Sequence, residues 1–168
     1  KASALVTYLR TYLGMEENEN PIYMVNPGDY SGSLLFFFEN GKAARIELSA
    51  YETKTNRKKL TGAYSDKSPL RSIVPFSGET DIAVYSTDGR ALVFSTSLLS
   101  PKSTRASQGV AVITLKRRYT LDSAALLRDT PIKNIQRYTV RSVPAAGSIL
   151  KPEDTGEEQM ELFGNEEQ

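Results

Sequence analysis

Two stretches of this chain, 48 residues apart, repeat one another, and no other feature limits the available folds as much. In "SLLFFFENGKAARIELSAY", Leu34, Phe36 and Phe38 alternate up to Asn40-Gly41, and Ala44, Ile46, Leu48 and Ala50 alternate after it. In "DIAVYSTDGRALVFSTSLL", Ile82 and Val84 lead to Asp88-Gly89, and Leu92, Phe94 and Leu98 follow. A period of two marks strands, and Asn-Gly or Asp-Gly supplies the positive φ angles that a two-residue turn requires, so each stretch is expected to be a β-hairpin. A shift of 48 lays Gly41 on Gly89, Lys42 on Arg90, Ile46 on Phe94, Lys54 on Lys102 and Arg57 on Arg105. Gly62 then meets Gly109 to within one residue. Short strands recurring at about 40–50 residues indicate blades of a propeller-like array, since one blade cannot bury both of its faces.

The flanks extend this picture. "GVAVITLKRR" (109–118) reads as a further strand, on which Lys116, Arg117 and Arg118 would alternate faces. "PIYMV" (21–25) reads as a strand entering the first unit and "IQRYTVRSV" (135–143) as one closing or following the second. Residues 4–13 fit a strand or a short helix, and Gly14 ends either. Two blades alone leave open sheet edges, so a third, irregular blade from 5–25 and 130–150 is the expected remedy. Pro, Gly and charge dominate from Pro144 onward. The division is a β domain over 1–151 and an acidic, disordered tail over 152–168.

A chain of 168 residues, 39% apolar, builds one moderate core. It has no cysteine or histidine, which removes disulfides, thiolate chemistry, the usual zinc sites and any imidazole-dependent triad; a metal is left only carboxylates. No apolar run approaches the ~18 residues of a membrane helix, and no leader opens the chain, so a soluble intracellular protein is expected. Lys1 in place of methionine reads as a piece of something longer.

The net charge of +1 hides a division: residues 152–168 carry seven acidic residues and no base, leaving 21 basic against 13 acidic residues in 1–151. A basic body with an acidic tail suits a polyanion partner, and the alternative is a balanced protein with a solubilising tail. Binding DNA without reading bases needs cations spaced to meet phosphates. Lys54 with Lys102 and Arg57 with Arg105 are the first candidates because they recur, and Lys42 and Arg90 follow the two turns. Lys58 and Lys59 enrich only the first loop, since Ala106 and Ser107 stand at the matching positions; Arg45 and Lys116 complete the set.

Taken together, "YLGMEENENPIYMV", "FENGKAARIELSAYETKTNRKKL", "STDGRALVF", "KSTRASQGVAVITLK" and "VPAAGSILKPED" resemble the C-terminal domain of the A subunit of bacterial type IIA topoisomerases. This is the DNA gyrase and topoisomerase IV family, and the likeness is to its short clostridial form over nearly all of residues 9–152. The resemblance implies an all-β fold, the β-pinwheel, whose blades exchange strands and whose basic rim bends double-stranded DNA. It also implies a non-catalytic role: guiding the transported DNA segment for ATP-dependent relaxation, decatenation or supercoiling in the bacterial cytoplasm, at the nucleoid. The partners implied are the rest of the A subunit, which carries the catalytic tyrosine, and the ATPase B subunit. ATP and Mg belong to those parts, so this chain is expected to hold no cofactor or metal and to meet no membrane. No stretch matches the Gln-Arg-Arg-Gly-Gly-Lys-Gly box of gyrase proper, which with only two clear blades points to a topoisomerase IV-like role. Arg118-Tyr119 and Arg137-Tyr138 lack the family's acidic cluster and are read as strand tyrosines.

In the tail, Gln159, Met160, Leu162 and Phe163 of "QMELF" resemble the short peptides that dock on the bacterial sliding clamp; loose docking on the domain itself is the plainer reading. A propeller-type protein scaffold without DNA binding is the rival function. Ser148 and Lys151 have a serine-lysine spacing but no oxyanion-hole context, so catalysis by this chain is not expected.

Overall fold

A computed structural model describes residues 9–53, 55 and 60–156. Lys54, Arg57, Lys58 and Lys59 lie outside the described residues, as do Gln159, Met160, Leu162 and Phe163. Among the described residues, a short helix, Leu9–Leu13, is followed by eight strands: β1 (Ser33–Phe38), β2 (Lys42–Glu47), β3 (Leu70–Phe76), β4 (Asp81–Ser86), β5 (Arg90–Ser95), β6 (Val110–Ala111), β7 (Leu121–Leu126) and β8 (Ser148–Ile149). They form two antiparallel four-stranded sheets with the orders β3-β1-β2-β6 and β7-β4-β5-β8. No described helix is long and apolar enough to cross a membrane.

The expected hairpins are present. Leu34 faces Ile46 in the first and Ile82 faces Phe94 in the second, an offset of 48. Gly41 and Gly89 take φ of +81° and +76°, the left-handed conformation for which a side chain is a handicap.

Each hairpin gains two further strands, at different offsets. Pro75 of β3 pairs with Leu34 and Leu126 of β7 with Ile82, an offset of 51. The fourth strands come from segments that cross back. Lys102 N donates to Arg45 O at 2.8 Å and Val112 N to Gly41 O at 2.9 Å; Val140 N donates to Val93 O and Leu150 N to Gly89 O, both at 2.8 Å. Residues 102–113 therefore do for the first sheet what 140–151 do for the second, at an offset of 38. The first of these segments lies between β5 and β7 in sequence yet completes the sheet of β1 and β2, so the two blades exchange a strand.

The exchange revises several expectations. The partner of Gly109 is Gly147, not Gly62. A Cβ on Gly109 would stand 2.0 Å from the Ala43 carbonyl oxygen and one on Gly147 2.7 Å from that of Ala91, whereas one on Gly62 would meet nothing within 4 Å. Only Val110–Ala111 of 109–118 is a strand, and 135–143 begins as a 3-10 helix, Ile135–Arg137. Residues 21–25 lie in no strand, the described part of 4–13 is the helix, and no third sheet appears among the described residues. Residues 144–150, expected to help build that third blade, include the second sheet's fourth strand. β3 and β7 were not foreseen; "LRSIVPF" contains a proline, and "LDSAAL" is too small and polar to signal a core strand.

Both faces of both hairpins are buried, and the sheets stack head to tail. Leu35, Phe37 and Ala43 of the first meet Ile82, Val84, Leu92 and Phe94 of the second in the central core. The set equivalent to those four, Leu34, Phe36, Ala44 and Ile46, lies on the first sheet's other face, covered by Tyr30, Tyr51 and Tyr64. The second sheet's remaining face, with Ala83, Ala91 and Val93, is covered by Ile132, Tyr138 and Leu150. Repeats stacked this way leave two unlike ends, which the segments flanking the hairpins close.

The packed chain runs on past 151. Pro152–Asp154 is a 3-10 helix, and the Asp154 side chain, counted with the acidic run, is fully buried. Its carboxylate accepts the Tyr138 hydroxyl at 2.6 Å and further bonds from Asn134 and Arg137.

Candidate nucleic-acid interface

The described candidate cations fall at opposite ends of the hairpins. Lys42 and Arg90 open β2 and β5, at the turn end, and Lys116 lies near the same end, close enough to Asp88 to act on its carboxyl. Lys102 and Arg105 run beside the end of β2 and the 3-10 helix after it, Leu48–Tyr51, at the far end. Lys102 pairs beside Ile46, four residues along β2 from Lys42, so about 13 Å separates the nearest members of the two groups. The cations thus form two groups rather than one series.

At the turn end, Arg90 donates through Nε to Asp88 at 3.1 Å and through an η nitrogen to the Gly147 carbonyl at 3.1 Å. It ties its own turn to the exchange segment, with a side chain only 21% exposed. The Ser86 hydroxyl, then Arg90 and Lys116, hold the Asp88 carboxyl below its ordinary range. Lys42 is half-buried, and Lys116 is exposed.

Arg45 is the most enclosed candidate, its side chain 13% exposed. One η nitrogen donates to the Thr96 and Leu99 carbonyls at 3.1 and 3.2 Å, the other lies 3.0 Å from Glu79, and the guanidinium sits 5.0 Å over the Phe76 ring. Those bonds join β2 to the chain that leaves β5, so its geometry is that of a clasp between blades. Its counterpart at the 48-residue offset is Val93, which is why the repeat gave no sign of it.

Lys102 is exposed, and Arg105 donates to the Ala50 carbonyl at 3.2 Å. Beside it the Tyr51 hydroxyl donates to the Ala63 carbonyl at 2.6 Å, joining the chain before Lys54 to the chain after Lys59. Burial pushes the Tyr51 hydroxyl up to about 12 against the opposing pull of Arg105. Lys102 and Arg105 thus stand against the first sheet and not at a successive blade position, because 102–113 returns to that sheet.

Lys116–Arg118, expected on a strand, belong to a turn in which Tyr119 N donates to Lys116 O at 3.0 Å. All three cations are exposed, and Tyr119 is 44% exposed. Tyr138, the other tyrosine of an Arg-Tyr pair, is fully buried on Asp154.

Two sheets of four short antiparallel strands, the first completed by a segment borrowed from between the strands of the second, define a β-pinwheel. The fold is shared with a C-terminal domain of DNA topoisomerase IV, at 20% sequence identity and a TM-score of 0.71, over 85% of this chain and 49% of that one. A DNA gyrase A C-terminal domain matches at 17% identity and a TM-score of 0.56, over 79% of this chain and 53% of that one. The chain spans about half the length of the solved domains it matches. No protein-family model and no curated protein matches the sequence.

Proposed function

We propose that this chain is a non-catalytic DNA-binding and DNA-bending domain of a bacterial type IIA topoisomerase A subunit. The likeness to the topoisomerase IV C-terminal domain over 85% of the chain carries this reading, and the cations at both ends of the hairpins supply its chemistry. Exposed Lys102 and Lys116, half-buried Lys42 and Arg105 meet DNA phosphates, and Lys54 and Arg57–Lys59 join them. Arg45 clasps the two blades together beneath them, and Arg90 ties its own turn to the segment that leads into β8. Two sheets offer DNA a short arc, so the domain guides the transported segment for relaxation or decatenation rather than winding a long wrap. The rest of the A subunit and an ATP-using B subunit supply the chemistry, with Mg in the parent enzyme, in the bacterial cytoplasm at the nucleoid.

Fluorescence anisotropy on labelled duplex DNA tests this. Neutralising about five or six phosphates gives a slope of log affinity against log salt near −5. Absent or salt-insensitive binding overturns the reading and favours a protein scaffold. Ligase closure of relaxed circles with the domain present then reports bending as a shift in linking number. The tail reading has its own test: clamp pulldown that survives Leu162→Ala/Phe163→Ala, or fails with the intact chain, ends it.

A further inference from the structure

We propose that the Lys116–Tyr119 turn is a preformed phosphate-contact element for double-stranded DNA at the seam between the two sheets. This rests on the DNA-binding reading above and names a site within it. The turn lies where the chain crosses from the first sheet's exchange segment to β7, and it is clamped on both sides. On one side Val112 and Ile113 donate to the Gly41 carbonyl at 2.9 and 3.3 Å and Thr114 to Ala145 at 2.9 Å. On the other, Thr120 N donates to the Thr87 hydroxyl and Thr87 N to Thr120 O, each at 2.9 Å, and Leu121 N donates to Glu39 O at 3.0 Å. Both hairpin turns thus grip it, and Leu115 packs against the central core beneath.

Three consecutive cations stand on this support. Lys116 acts on the Asp88 carboxyl, but neither Arg117 nor Arg118 has an acidic partner among the described residues, and the nearby Glu39 carboxylate is taken by Arg71 at 3.1 Å. Arg118 takes a φ of +75°, a conformation that disfavours any Cβ and favours glycine. An arginine kept there at a conformational cost, beside an unpaired arginine and an exposed tyrosine, fits a turn that presents charge rather than one that only reverses the chain. Guanidinium groups on a fixed turn donate bidentately to a phosphate with little ordering left to do. Their place at the seam puts them midway along any duplex laid across the two blades.

The test uses the full 168-residue chain and duplex DNA with Arg117→Gln/Arg118→Gly. Glycine suits the backbone at 118, so thermal unfolding should be unchanged or slightly higher. Affinity should fall roughly ten- to a hundredfold and the salt slope should flatten by about two. Arg128→Gln/Lys133→Gln, equal in charge and outside the turn, should fall less and keep more of the slope. Equal loss in the two double variants, or none in the first, overturns the turn while leaving the DNA reading in place. A wild-type chain that does not bind duplex overturns both.

Discussion

The Tyr138 hydroxyl and the Asp154 carboxylate lie 2.6 Å apart, and that bond fastens the end of the described chain to the outer face of the second sheet. The Tyr138 hydroxyl, then Asn134, with the Arg137 charge, hold the Asp154 carboxyl below its ordinary value of 3.8. Its folded value is depressed, so its contribution is present above pH 3.8 and is lost as pH falls through the lower folded value. Asp154→Asn should therefore unfold at lower temperature than wild type at pH 7, and the gap should narrow toward pH 3. Melting curves across that range check it; a constant gap would deny the carboxylate this role. A truncation that probes the acidic tail must begin after Gly156, because removal from 153 would take the anchor with it.

Tyr51 gives the opposite limb. Its folded value of about 12 lies above the ordinary 10, so the folded state keeps a proton that the unfolded chain releases. Stability should fall as pH rises from 10 to 12. Tyr23 and Tyr85, also raised by burial, act in the same direction. In Tyr51→Phe the decline over this interval should be shallower, as denaturant unfolding at pH 8–12 would report. An unchanged slope would mean that Tyr51 is not held as described.

Glycine substitutions separate strand exchange from simple turn strain. Gly62→Ala meets open space and should cost only the left-handed penalty, about 1–2 kcal/mol. Gly109→Ala drives a Cβ into the Ala43 carbonyl and should cost more, with Gly147→Ala between them. Urea midpoints rank the three; Gly62→Ala as the most damaging would refute the correspondence of Gly109 with Gly147.

Arg45→Gln should weaken the fold rather than DNA binding. Losing hydrogen bonds from a largely buried charge to two carbonyls should cost about 1.5–3 kcal/mol, seen as a lower urea midpoint. Duplex affinity measured where the variant is folded should stay within about twofold of wild type; a fall like that expected for the seam turn would move Arg45 into the interface.

Local signals specify the two hairpins. Alternating apolar residues and a glycine after Asn40 and Asp88 specify strand, turn and register within 15 residues, and the 48-residue repeat indicated stacked blades. The resemblance supplied the pinwheel. Sequence also showed where cations are dense, but not which are free. Arg45 is spent on Thr96 and Leu99, 51 and 54 residues away, while Arg117 and Arg118 looked like alternating strand residues and prove to share an exposed turn.

The tertiary structure alone decided how the blades are completed. β6 and β8 are two residues long, too short to carry a period, and they are held by backbone hydrogen bonds and glycines that let two main chains touch. Backbone bonding is nearly blind to side-chain identity, so a chain can announce its hairpins through its side chains while leaving unannounced the segment that crosses between them.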